Sequence, residues 1–367
     1  MAEGNMTNST NQTVYNELTE ITHKIDLYVT PILYIVGFPG NIFSLVIWLQ
    51  KRMRHSSGCY LAALALDDLI FLVLHFLFEL HKWKLKPLDY PVICEGFPIF
   101  FLASQLLSPF LVLAFTTERY ISICHPFQRE KYCTVKRAKI VIICMVAAMP
   151  CLNAVHGYFW KFDEKSECNI RSEVVEGQTG SLYVVYTMTV DVLAFFIVPL
   201  SVLVLNMLVI REMRRLSRMD TVHLHGQAQR TGSTTVMLLA VSFYQIITTL
   251  PISIAFAFFL KYSCDSRPCD TEEDKRTGAI YQLILAIITE YGITHYAFNI
   301  FIYVCTGKMF RQELKKLICY PINKLIARLP MDYTSLRTKA RGSEQSRNWV
   351  STNGNHDNER TTEETLL

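Results

Sequence analysis

Seven long apolar runs punctuate the chain, at about residues 27–50, 59–81, 97–124, 138–160, 182–210, 235–261 and 279–305. Each reaches the roughly 20 mostly apolar residues that a helix needs to cross a bilayer. The stretches LYVTPILYIVGFPGNIFSLVIWL and FFIVPLSVLVLNMLVI lack the polar face that a soluble helix would carry. The pattern predicts an all-α membrane protein, a seven-transmembrane helix bundle. Pro39, Pro109, Pro199 and Pro251 fall inside the runs, where neighbouring helices and side chains re-satisfy the carbonyl that a proline frees.

Polar segments around the runs divide the rest of the chain. Residues 1–26 form a polar head, 27–305 the bundle, 306–319 a short amphipathic eighth helix, and 320–367 a tail. In GKMFRQELKKLICY, Phe310, Leu314, Leu317 and Ile318 stand at helical spacing opposite Lys308, Arg311, Lys315 and Lys316. Such a helix lies in the interface with its basic face toward anionic lipid. Cys319 at its end is a palmitoylation candidate. The tail is polar and poor in aliphatic residues, as disordered segments are.

Composition agrees with the pattern: 51% of residues are hydrophobic and 19% charged. The net charge of +4 matters less than its placement. Lys51, Arg52 and Arg54 follow run one, Lys131, Lys136, Arg137 and Lys139 precede run four, and Arg211, Arg214, Arg215 and Arg218 follow run five. This bias puts those ends in the cytosol and the N-terminus outside. Three Asn-x-Ser/Thr acceptors, Asn5, Asn8 and Asn11, point the same way, since they are glycosylated only on the lumenal side. Of eleven cysteines, Cys94, Cys168, Cys264 and Cys269 fall outside, where disulfides persist. Four cysteines allow three connectivities; the expected one is Cys94–Cys168 and Cys264–Cys269. HExxH, Walker, GxSxG and CxxC patterns are all missing, so no enzyme is predicted. Nothing in the charge pattern calls for a nucleic-acid partner.

Over roughly residues 25–320 the chain resembles a rhodopsin-like (class A) G-protein-coupled receptor. The resemblance rests on Gly40-Asn41, LAALALDDL with Asp68 in run two, Cys94 placed 25 residues before Arg119, Glu118-Arg119-Tyr120 followed by His125-Pro126-Phe127, Pro199, Pro251, and NIFIY from Asn299 to Tyr303. It implies that Glu118 restrains Arg119 until activation lets the arginine meet a heterotrimeric G protein, with Tyr120, Asn299 and Tyr303 part of the switch. It also implies a sodium and water pocket at Asp68, Ser108 and Asn299, with Asn41 nearby. Arrestin and receptor kinases would act on the tail, where Ser351, Thr352, Thr361, Thr362 and Thr365 are phosphorylation candidates, and Thr365-Leu366-Leu367 fits a PDZ ligand. The sequence departs from the family at Thr249, Gln245, Ile300, Met207 and Pro109, so the activation relay is expected to be rewired.

Ile293 stands where a retinal lysine would, and Phe101 where an amine receptor carries aspartate. The candidate ligand-lining residues are Glu79, Phe101, Gln105, Asp191, Thr249 and Glu290. Glu79 lies 11 residues past Asp68, about 16 Å further along the helix. Glu79 and Asp191 suit a guanidinium, and Lys82 and His81 are alternative partners for Glu79. The expected ligand is a basic neuropeptide, and the texture of GNIFSLVIWLQKRMR is similar to invertebrate receptors of the FMRFamide type. A small odorant or lipid ligand is the runner-up. A transporter or channel would need inverted repeats. The expected location is the plasma membrane.

Overall fold

The computed structural model describes residues 2–85, 87–162, 168–175, 181–219, 227–258, 262 and 271–326, without side chains for residues 2–13, 82, 84, 175, 219, 227–234, 256, 257 and 320–326. Cys264, Cys269, the side chains of Asn5, Asn8 and Asn11, and the tail sites from Ser351 to Leu367 lie outside the described residues.

Seven helices are long and apolar enough to cross a membrane: span one Val14–Trp48, span two Ser56–Leu80, span three Pro91–Cys124, span four Val135–Phe159, span five Leu182–Arg218, span six Thr235–Ala255 and span seven Glu272–Thr306. Several outrun the apolar stretches of the sequence, because polar turns extend a helix past the bilayer without breaking it. The starts are chemically marked. Thr134 accepts from Arg137 N at 3.3 Å ahead of span four, and Ser181 from Val184 N at 3.3 Å ahead of span five. Thr271 accepts from Asp274 N at 3.0 Å, and Glu272, Glu273 and Asp274 occupy the first turn of span seven. Each cap satisfies an otherwise orphaned N–H, and the acids oppose the positive helix end.

Contacts divide the chain into two compact units, Met1–Arg311 and Gln312–Leu367. All seven spans belong to the first. A last helix, Lys308–Ile326, follows Gly307 and runs past the expected end at Cys319. Arg311 Nη1 donates to the carbonyls of Val304 and Cys305, each at 2.8 Å, which satisfies the open end of span seven. In the second unit, Lys316 Nζ lies 2.9 Å from Glu313 Oε1.

Spans one, two and seven share a core of Leu33, Tyr34, Phe71, Leu72, Ile293, Tyr296 and Ala297. Small residues set the approach. A Cβ on Gly37 would lie 2.6 Å from Leu72 Cδ1, and one on Gly40 would lie 3.0 Å from Ile300 Cγ2, so glycine is what lets the helices close in. Outward rows stay apolar, with Ile35, Ile143, Val204 and Phe301 all more than half exposed, as a lipid-facing surface requires.

Pro199 illustrates how a break is used. It cannot donate to the carbonyl of Phe195, four residues back, and residues Leu193–Ile197 widen into a π-helical turn. Ser253 Oγ from span six donates to that freed carbonyl at 2.8 Å. The proline thereby creates an interhelical hydrogen bond.

Beyond span four, strands β1 (Trp160–Phe162) and β2 (Cys168–Ile170) pair antiparallel, with Phe162 opposite Cys168. Cys168 is joined to Cys94 at the start of span three, as expected.

Candidate functional site

At the end of span three, Glu118 and Arg119 are only 6% and 11% exposed, with Arg119 Nη2 3.4 Å from Glu118 Oε1. Two serines that open span two complete the group. Ser56 Oγ donates to Glu118 Oε1 at 2.6 Å and Ser57 Oγ to the same oxygen at 3.3 Å. Arg119 Nη2 donates to Ser57 Oγ. Ser57 therefore bridges cation and anion, while Arg119 Nε has no hydrogen-bond partner among the described residues. Charge-assisted bonds shielded from water hold such a pair firmly, yet a competing partner has a free donor to engage.

The surroundings tune the pair. His55 precedes span two, and burial, then the Arg119 cation, push its imidazole below the ordinary value. Burial, then the Glu118 charge, push the Cys133 thiol up, so it stays protonated and donates to the Glu118 carbonyl at 3.5 Å. Tyr120 packs edge-on against His125, ring centres 5.3 Å apart. On the short helix Pro126–Tyr132, Phe127 is 99% exposed.

Deeper in the bundle, Asn299 Nδ2 donates to Asp68 Oδ2 at 2.9 Å, and Asn41 Nδ2 to the Tyr296 carbonyl at 2.6 Å. Asp68 Oδ1 and Asn41 Oδ1 are buried acceptors with no hydrogen-bond donor among the described residues. Such oxygens fit a small hard cation. Ser108, expected beside them, instead accepts from Gln245 Nε2 on span six at 3.1 Å. Tyr303 is fully buried against Trp48 and Phe310, ring centres 5.5 and 5.3 Å away.

The outer half separates the candidate acids. Glu79, 1% exposed, turns inward and reaches His75 Nε2 at 4.0 Å, and His75 Nδ1 meets Tyr34 Oη at 2.7 Å. His81 instead faces Asp89 at 3.9 Å. Glu290 Oε1 accepts from Thr30 Oγ1 at 2.5 Å, so both glutamates are drawn into the interfaces of spans one, two and seven. Phe101 stacks with Phe71, Phe78 and Phe97. Thr249 is buried, and its hydroxyl donates to the Gln245 carbonyl of its own helix at 2.7 Å. Asp191 and Gln105 are half-buried, and Asp191 makes no hydrogen bond or ion pair with another described residue.

Sequence reasoning missed Ser56 and Ser57, Tyr34 and His75, and the role of Gln245. The signal was there for the last three: a polar side chain inside an apolar span is costly and marks an interhelical partner. The serines look like ordinary helix-start residues and only their neighbours reveal them.

A sequence profile of the family described as "7 transmembrane receptor (rhodopsin family)" matches residues 40–303. The FMRFamide receptor of Drosophila melanogaster is 25% identical over 327 residues, 82% of this chain and 55% of that receptor. The growth hormone secretagogue receptor type 1 of Oryctolagus cuniculus is 25% identical over 240 residues, 62% of this chain and 64% of that one. The B1 bradykinin receptor of Canis lupus familiaris is 25% identical over 315 residues, 83% and 86%. The chain thus spans little more than half the length of the Drosophila receptor.

Proposed function

This chain belongs to the rhodopsin family of seven-transmembrane receptors, and from that premise we propose that it transduces an extracellular peptide to a heterotrimeric G protein. The observation that carries the reading is the lock of Arg119, Ser57 and Glu118 at one end of span three. A buried ion pair bridged by a hydroxyl from a second helix has two arrangements, held and released, and a ligand that favours one shifts the population. Release frees a guanidinium eight residues before Phe127 in the chain, and the Phe127 ring is wholly exposed and offers the apolar anchor that protein interfaces use.

The relatives named for FMRFamide and bradykinin, both peptides, support a peptide ligand. Asp191 is the acid best placed for its cationic group, since Glu79 and Glu290 are engaged within the bundle. The basic residues beside runs one, three and five support an extracellular N-terminus at the plasma membrane. Asp68 Oδ1 and Asn41 Oδ1 support a sodium ion as allosteric ligand.

The test is a calcium and cAMP assay in cells expressing the chain at their surface, challenged with amidated peptides beside amines and lipids. Responses confined to basic peptides are expected. A response only to a lipid or odorant would replace the peptide reading.

A further inference from the structure

The last two turns of span five carry Arg211, Arg214, Arg215 and Arg218. With Met207 and Ile210 they line a groove of about 450 Å³. Their direction decides what the groove meets. Val202, Asn206 and Val209 are 2% exposed or less and mark the side packed into the bundle. At about 100° per residue, the arginine stripe is centred about 160° round the helix from that row. Leu200, Val204 and Met207, each half exposed or more, lie on the same outward side. The lipid-facing row of span five therefore runs directly into four guanidiniums.

Only one anion competes for them among the described residues. Glu212 Oε2 lies 3.6 Å from Arg215 Nη1, and the Arg215 side chain remains 70% exposed. A protein that docks against the open end of the bundle, at Arg119, would meet the opposite side of this helix.

We propose that the stripe binds the headgroups of anionic phospholipid, with an acyl chain along Val204 and Met207. Guanidinium forks match phosphate oxygens two at a time, and basic clusters next to a span draw on the negative surface potential of the membrane. The proposal rests on the receptor reading only in making the leaflet the cytoplasmic one. Lipid binding requires no agonist and no G protein, so a failure of either reading is visible separately.

The experiment titrates the purified full-length chain with fluorescent phosphatidylserine, and with fluorescent phosphatidylcholine as control. Preference for phosphatidylserine is expected, and replacing all four arginines with glutamine should weaken it by about tenfold or more. Glu212→Gln, which releases Arg215, should tighten phosphatidylserine binding roughly twofold, and it tests the idea even if the fourfold variant does not fold. Equal binding of both lipids, or an unchanged preference in the fourfold variant, overturns the proposal. So does loss of G-protein binding in that variant with lipid binding intact, which would make the stripe a protein contact.

Discussion

Gln245 Nε2 on span six donates a 3.1 Å hydrogen bond to Ser108 Oγ on span three, and both side chains are buried. The same turn of span six holds Thr249, whose hydroxyl is spent on the Gln245 carbonyl. Lower down, Asn206 on span five donates to Ser242 on span six at 2.7 Å. A polar ladder thus ties span six to its neighbours, and low local dielectric makes each rung costly to break.

Gln245→Leu removes the upper rung while keeping the volume. A buried hydrogen bond contributes about 1 kcal/mol, so ligand-free signalling should rise by roughly fivefold. Ser108→Ala should act alike, and the two together should fall short of additive because they delete one contact. Unchanged basal cAMP or inositol phosphate in both variants would mean the bond does not restrain span six.

Ser57 and Arg119 should have opposite phenotypes. Ser57→Ala removes the hydroxyl bridging the pair and should raise basal activity. Arg119→Ala should abolish G-protein activation with surface expression kept. Retained signalling in Arg119→Ala would exclude the switch role.

Asp191→Asn keeps shape and removes charge. If Asp191 receives a ligand cation, potency of a basic peptide should fall by roughly tenfold, the scale of a charge-assisted hydrogen bond, while a neutral analogue is unaffected. Equal loss for both would point to folding instead.

Sodium should weaken agonist affinity if it occupies the oxygens of Asp68 and Asn41. Radioligand binding with sodium or a large organic cation measures this directly. Asp68→Asn should abolish the difference, and a sodium effect that persists in that variant places the ion elsewhere.

His55 gives the pH dependence. Its imidazole is depressed by burial and by Arg119, so the folded chain favours the neutral form. As pH falls below about 6.5 the unfolded chain takes up the proton first. Stability from this group is therefore complete above that value and lost as pH falls through the folded one. Melting of the purified protein should drop between about pH 7 and pH 5, and less in His55→Gln. Identical pH curves would dismiss His55 as the cause.

The spans were legible in the sequence because hydrocarbon leaves a backbone no partner but itself, so about twenty apolar residues in a row can only be helical. The Glu118-Arg119 pair was legible as two charges at the edge of such a run, and Cys94 and Cys168 as cysteines on one side of the membrane. Rotation about each helix axis was not. Apolar residues all round a span are equally content against lipid or protein, so no periodicity says which polar side chain faces which helix. That Glu290 meets Thr30, that Ser108 meets Gln245 rather than Asp68, and that Ser57 stands between Arg119 and Glu118 was decided by packing alone. Glycines at 37 and 40 let span one approach span seven, and these buried polar groups then settled on partners that another helix brought within reach.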